Sequence, residues 1–284
     1  MTQSQVLKLR TIGGRNRRPS LSGGTRIGAA ILLLIGGMAI FAPLLTQSDP
    51  LTLSGQTLLA PSLSHLMGTD DLGRDVFSRV LYGGRLSLVV GLVSAAIAIV
   101  LGIVFGVIAG YSGGAIDEAL MRVTEVFQIV PRLLVAIVVA SMVGGGIGNV
   151  ILIIGLLSWP PTARLVRAQV LAIRREDFIS AAIMSGASYV RIVRKQIIGN
   201  IMPILLVSAS MQVASAILAE SALSFLGLGD ASQPSWGQML QQSQGFLRQA
   251  WWMSVFPGVA LALTIVALNV LSDGLSDRLP GAAK

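Results

Sequence analysis

The 284 residues predict an all-α integral membrane protein with about six transmembrane helices. Three observations predict it: the composition, six long apolar stretches, and the uneven placement of lysine and arginine. Hydrophobic residues make up 53% of the chain and charged residues only 12%, against about 25% charged in a soluble domain. So few charges cannot cover a water-facing surface of this size, so the main solvent is lipid. The 32 glycines suit helices whose backbones approach closely in a bilayer.

The spans follow in order. Residues 1–26 form a polar tail with six Lys or Arg and no acid. The first span is Ile27 to Leu45, long enough at 1.5 Å per residue to cross a hydrocarbon core of about 30 Å. It has no small-residue cleavage site at a suitable distance, which predicts a retained helix and not a signal peptide. A polar segment, 47–84, separates it from the second span, Leu86 to Ala109. The third starts amphipathically at Asp117 and continues to Val143, ending at Gly144-Gly145-Gly146. The fourth, 149–168, carries Pro160-Pro161 inside it and predicts a kink. The fifth covers 201–226, and the sixth runs from Trp252 to Leu271. Three segments result: the tail 1–26, the first span and following loop 27–84, and a core of five spans, 85–284, that contains a polar loop at 172–200.

Charge placement sets orientation. The 164–198 stretch has seven Lys or Arg, whereas 47–84 has Arg74 and Arg79 against four aspartates. By the positive-inside rule, the tail, the basic loop and the C-terminus lie on the cytoplasmic side. The net charge of +8 is therefore a topology signal; it lacks the aromatic-basic interleaving of a nucleic-acid surface.

Much chemistry is absent. No cysteine occurs, which excludes disulfides and thiolate sites within these residues. No Gly-x-x-x-x-Gly-Lys-Ser/Thr and no His-Glu-x-x-His occurs, so no ATP, metal or other cofactor is expected on this chain, and no enzymatic activity. Within the spans only Glu220 reads clearly as ionisable. That argues against self-powered, ion-coupled transport.

The loop is the most informative stretch. Glu176 and Asp177 suit a helix N-terminus, and Gly186 suits the left-handed turn that ends a helix. Phe178, Ala181, Ala182 and Ser185 are expected on one face. The residues leave two readings open: a helix that a partner grips, or one resting on lipid headgroups. Ser180-Ala181-Ala182-x-x-x-Gly186, followed by Gln196-Ile197-Ile198-Gly199-Asn200-x-x-Pro203, resembles the EAA loop of ATP-binding-cassette importer permeases. Ser180 stands where that family usually has Glu, and Gly199 where it usually has Pro. Further segments resemble the second permease subunit of dipeptide, oligopeptide and nickel importers. They are His65 to Val76, Glu220 to Gly229, Pro234-Ser235-Trp236-Gly237, and Phe256-Pro257-Gly258 with Asn269 to Gly274.

The resemblance implies an importer-permease fold in the bacterial inner membrane, multi-pass, with a cytoplasmic coupling helix. It implies Ser180, Ala181, Ala182, Gly186 and Ala187 as the contact with an ATPase. Its implied partners are a second homologous permease, two ATPase subunits or domains that bind ATP and Mg, an extracytoplasmic solute-binding protein, and the bilayer. Nucleic acid is not among them. Dipeptides or oligopeptides are the expected cargo, with nickel or another small solute as the alternative; a stand-alone carrier or channel is the rival class.

Several residues stay open between roles. Glu220 reads either as a gate or path residue or as a structural acceptor bonded to a helix end, Ser221 or Ser224. Gln212, Ser208 and Ser215 share its helix and are candidates for the translocation path. His65 with its neighbouring aspartates reads as structural, as a metal site or as a docking loop. Thr69 or Asp70 is expected to cap the helix that follows. Trp236, Trp251 and Trp252 are expected in an outer interfacial belt, and Gly102, Gly106 and Gly110 as a helix-packing stripe.

Overall fold

The computed structural model describes residues 23–46, 49–53 and 55–277. Most of the basic tail and the last seven residues, 278–284, lie outside the described residues, as does any statement of where the two ends of the chain sit. Among the described residues the architecture is helical, without a named strand. In chain order the helices are α1 (Gly23–Ile40), α2 (Ala42–Leu45), α3 (Val76–Ser112), α4 (Gly114–Ile129), α5 (Arg132–Val143) and α6 (Ile147–Leu157). They continue with α7 (Pro160–Ile173), α8 (Asp177–Met184), α9 (Tyr189–Ile192), α10 (Ile198–Phe225), α11 (Trp236–Ser243) and α12 (Trp252–Ser276).

Five stretches are long and apolar enough to cross a membrane: α1, α3, α6 with α7, α9 through α10, and α12. The pair α4 and α5 makes a sixth if counted as one broken span. It runs beside the α6–α7 pair, α4 against α7 and α5 against α6, so it connects the same two sides.

The spine is α3. It packs on α7, α10, α6 and α1, and α12 in turn packs on α1 and α10. At 37 residues it is about 55 Å long, more than a hydrocarbon core requires. It begins ten residues before the expected Leu86, because Asp75 caps it: the Asp75 carboxylate accepts from the Ser78 amide at 2.8 Å. The expected cap, Thr69 or Asp70, does other work. Thr69 Oγ accepts from the Leu59 amide and donates to the Gln56 carbonyl. Asp70 accepts from the amides of Leu72 and Arg74 and pairs with Arg74 and Arg79.

The third span is not the continuous helix that its apolar run suggests. It bends by 81° between α4 and α5. Pro131 has no amide hydrogen to donate and forces the residue before it out of the helical region; Val130 is accordingly extended, with φ −83° and ψ 131°. Pro160 and Pro161 likewise stand at the start of α7 and not inside a helix. There a missing amide hydrogen costs nothing. The expected kink is thus a break at Ser158-Trp159. At the other end of the loop, α9 passes through a π-helical turn, Val193–Ile197, straight into α10.

The glycine stripe packs as expected, and its partner is α7. A Cβ on Gly106 would lie 2.6 Å from the Ala163 carbonyl oxygen and from Val166 Cβ. The tryptophan belt is corrected. Trp236 and Trp252 are buried, and only Trp251 is exposed. Their indole N–H groups donate to the carbonyls of Val80 and Thr69, each at 3.0 Å. The cause is that α11 folds over the outer part of α3 and α10, so these rings pin elements together instead of meeting headgroups.

Gly106→Ala is therefore expected to destabilise the protein by about 1–3 kcal/mol through overpacking. Gly199→Ala, at a helical position with nothing within 4 Å of the new Cβ, is expected to be neutral or to gain up to about 1 kcal/mol. Thermal unfolding in detergent, compared between the two variants, measures the difference.

Candidate coupling and translocation sites

On the basic side, Asp177 in the first turn of α8 complements the helix dipole. Gly186 has φ +75°. Its amide bonds to the Ile183 carbonyl at 2.9 Å, and the Ala187 amide bonds to the Ala182 carbonyl at 3.0 Å. This paired closure is a Schellman motif, and it requires the residue with the least objection to a positive φ. Ile179 is 1% exposed and, with Ala182 and Ala187, packs on Val170, Ile192 and Ile197. Tyr111 from the end of α3 meets Tyr189 edge-on and receives Arg174 at its carbonyl.

The five expected contact residues therefore divide. Ser180, Ala181 and Gly186 are exposed, while Ala182 and Ala187 turn toward the chain's own core. The expected face of Phe178, Ala181, Ala182 and Ser185 is broken at Ala182. What α8 presents outward is Phe178, Ala181, Ser185, Ile183 and Met184, the last 86% exposed.

Inside the membrane span of α10 the polar residues form separate groups. Glu220 is 1% exposed. Its carboxylate accepts from Ser224 Oγ at 2.7 Å, Ser87 Oγ at 3.0 Å and Ser221 Oγ at 3.3 Å. Three hydroxyls from α3 and α10 thus enclose it, which is the structural-acceptor arrangement. About two turns away, Gln212 Nε2 donates to the Ser158 carbonyl at 2.7 Å. Ser215 Oγ accepts from Arg132 at 2.9 Å, and Ser158 Oγ from Arg132 at 3.2 Å. Gln212 and Ser215 are thereby brought together around Ser158. Ser208 is half-buried about one turn beyond Gln212, and Glu220 belongs to its own cluster.

Arg132 is the residue that the sequence reading missed, and it corrects the expectation that Glu220 is the one clear ionisable group within the spans. Its signal was available: an Arg directly after Pro131, inside an apolar run, marks the first turn of a new helix. A cleft of about 140 Å³ opens beside it, lined by Leu133, Ile154, Ser215, Leu218 and Ala222.

The outer segment is held by its own charges. His65 Nδ1 lies 3.1 Å from Asp75, and among the described residues no group of three metal-ligating side chains forms. Gln242 of α11 accepts from Arg79 at 2.8 Å, tying α11 to α3. Asp230 accepts from Ser232 and from the Ile147 amide at the start of α6. The Ser232 hydroxyl, with the two amides, holds that carboxyl below its ordinary value against the opposing effect of burial. A depressed carboxylate stabilises the fold above its ordinary range, and that contribution is lost as pH falls through the lowered value.

The family model for the binding-protein-dependent transport system inner membrane component matches residues 102–281. The chain belongs to this family. That stretch contains Arg132, α8 and Glu220. The dipeptide transport system permease protein DppC of Bacillus subtilis is 42% identical over 255 residues, covering 89% of this chain and 80% of the relative. The probable peptide ABC transporter permease protein y4tQ of Sinorhizobium fredii is 43% identical over 260 residues, 91% and 89% of the two chains. The probable D,D-dipeptide transport system permease protein DdpC of Escherichia coli is 38% identical over 258 residues, 90% and 86%. An inward-facing structure of the MetNI methionine ABC transporter aligns with TM-score 0.56 at 20% identity, over 68% of this chain and 93% of that one. It shows the same fold. The protein is thus a multi-pass membrane component of a binding-protein-dependent importer.

Glu220→Ala leaves three buried hydroxyls without their acceptor and is expected to cost about 1–3 kcal/mol or more. Glu220→Gln keeps an acceptor oxygen and is expected to lose less. The order of thermal stabilities, wild type above Gln above Ala, checks the structural-acceptor arrangement; equal stabilities would contradict it.

Proposed function

We propose that this chain is one of two permease subunits of an ATP-driven importer that carries dipeptides or short peptides. The observation that carries the reading is the outward face of α8. A short helix, closed by Gly186 and anchored through Ile179, presents Phe178, Ile183 and Met184 next to the most basic loop of the chain. Large apolar side chains exposed outside the bilayer mark a protein contact better than a solvated surface. The partner is an ATPase subunit. The chain carries no phosphate-binding loop of its own, so ATP and Mg belong to that partner, and the importer's other components are a second permease and an extracytoplasmic binding protein. The named relatives handle dipeptides or peptides, which supports the same cargo here.

In mechanism, closure of an ATPase pair on ATP moves α8 as a rigid unit. Its anchor reaches α10 through Ile192, Ile197 and Ile201 and α7 through Val170. A movement of α8 is therefore passed to two membrane spans through packed side chains. The inward and outward states must differ in their ATPase contacts, since a ligand shifts an equilibrium only by its differential affinity. The Lys and Arg counts support an orientation with the tail, the 164–198 loop and the C-terminus in the cytoplasm, the side where ATP is found.

Met184→Asp changes the outward face without touching the anchor and is expected to weaken copurification of the ATPase while the protein still inserts. Gly186→Leu, at a positive φ that costs a non-glycine residue about 1–2 kcal/mol, is expected to lower ATP-driven uptake in proteoliposomes. Full ATPase association in both variants would remove α8 from the coupling role. Orientation is tested separately. Single cysteines at Ser62 and Ser188, both exposed, are expected to react with an impermeant thiol reagent from outside at 62 only; labelling at 188 in intact cells would invert the topology.

A further inference from the structure

Among the described residues, the charged groups of the spans that are buried or half-buried have an opposite charge or a full set of donors, with one exception. Glu220 has three hydroxyl donors. Arg79 pairs with Asp70, Arg167 with Asp117, and Arg85 donates to the carbonyls of Ala39 and Ile40 at the end of α1. Arg132 has only the neutral hydroxyls of Ser158 and Ser215. Among the described residues no carboxylate comes within ion-pair distance of it. A cation at membrane depth without a counter-charge is costly, and such residues face a cavity or a pathway.

Its position is equally specific. Arg132 stands at the break between α4 and α5, and Ser158 at the break between α6 and α7. Their hydrogen bond joins the two interruptions, and Gln212 of α10 satisfies the Ser158 carbonyl. Irregular backbone at membrane depth is tolerated where it lines a cavity, and a cleft of about 140 Å³ is there. That is smaller than the roughly 300–1,000 Å³ of sites that enclose a whole small ligand. It fits one end of a solute. Two donors of the guanidinium fork are used, and the remaining ones suit a carboxylate, which accepts two parallel bonds from such a fork. The other walls, Leu133, Ile154 and Leu218, are apolar.

We propose that Arg132, with Ser158 and Ser215, is an intramembrane binding point for the free C-terminal carboxylate of a peptide in transit. The proposal rests on the import reading above and adds a recognition step inside the membrane subunit, beyond selection by the binding protein. Ser158 and Ser215 position the guanidinium, and the apolar walls receive the last side chain of the peptide.

The complete importer in proteoliposomes supplies the test, using one dipeptide and its C-terminal amide, both first shown to be held by the binding protein. Arg132→Gln, in complexes whose assembly is verified by copurification, is expected to lower uptake of the free-carboxylate form about tenfold relative to the amide. Arg132→Lys keeps the charge without the fork and is expected to raise KM for the free-carboxylate form alone. An equal fall for both forms, or no fall, overturns the proposal. A second readout does not depend on delivery. In a Leu218→Cys variant of this cysteine-free chain, the free dipeptide is expected to slow thiol labelling of the purified complex, the amide is not, and Arg132→Gln is expected to abolish the protection. No protection overturns the site. Protection by phosphatidylglycerol vesicles in place of the dipeptide assigns Arg132 to a lipid phosphate, which also overturns it. If the wild-type complex imports neither peptide form, the import reading fails, and the labelling experiment still decides the site by itself.

Discussion

Hydrocarbon offers no hydrogen bonds, so every polar group taken into the membrane must be satisfied by the protein itself. The long spine α3 meets this demand along its length. Its outer part is covered by α11, fixed by the Trp236 indole on Val80 and by Gln242 on Arg79. Its middle gives Ser87 to Glu220 and Ser94 to the Ile151 carbonyl. Its inner part is smooth glycine surface against α7, where Gly102, Gly106 and Gly110 let the backbones approach. In a bilayer such close packing substitutes for the hydrophobic drive that holds soluble cores together.

The same demand explains where the chain is allowed to break. Both interruptions, at Val130-Pro131 and at Ser158-Trp159, free backbone groups at membrane depth. They are placed side by side and joined by Arg132 on Ser158, while Gln212 satisfies the Ser158 carbonyl. A break is costly alone but tolerated where it lines a cavity. The cleft beside Arg132 is the consequence.

Outside the spans, at the basic loop, the physics changes, because water returns and an exposed helix end needs no partner. There α8 is held by a few contacts only: Ile179, Ala182 and Ala187 inward, and the Gly186 turn at its end. Rigid packing to α7 and α10 with a free outer face is what a lever requires.

Period, length and charge were legible in the sequence because they depend on residue type alone. The apolar runs marked α1, α3, α10 and α12, and the glycine stripe was read as a packing surface. Gly186 was read as a left-handed turn, since few other residues accept that φ. Tertiary structure decided what depends on neighbours distant in the chain. Trp236 and Trp252 are buried instead of meeting headgroups because their indoles donate to the carbonyls of Val80 and Thr69 where α11 and α12 pack on the start of α3. Asp75 took the capping role from Thr69 and Asp70 because those two were engaged by Gln56, Leu59 and Arg79. Ala182 left the expected outer face because it lies three residues after Ile179, on the face that packs into the cluster of Val170, Ile192 and Ile197. Glu220 was ambiguous by sequence, and three hydroxyls, one of them 133 residues away on α3, settled its surroundings. Arg132 is the sharpest case: hydropathy averages a lone charge into an apolar run, and only the meeting of two broken spans gives that charge a place to act.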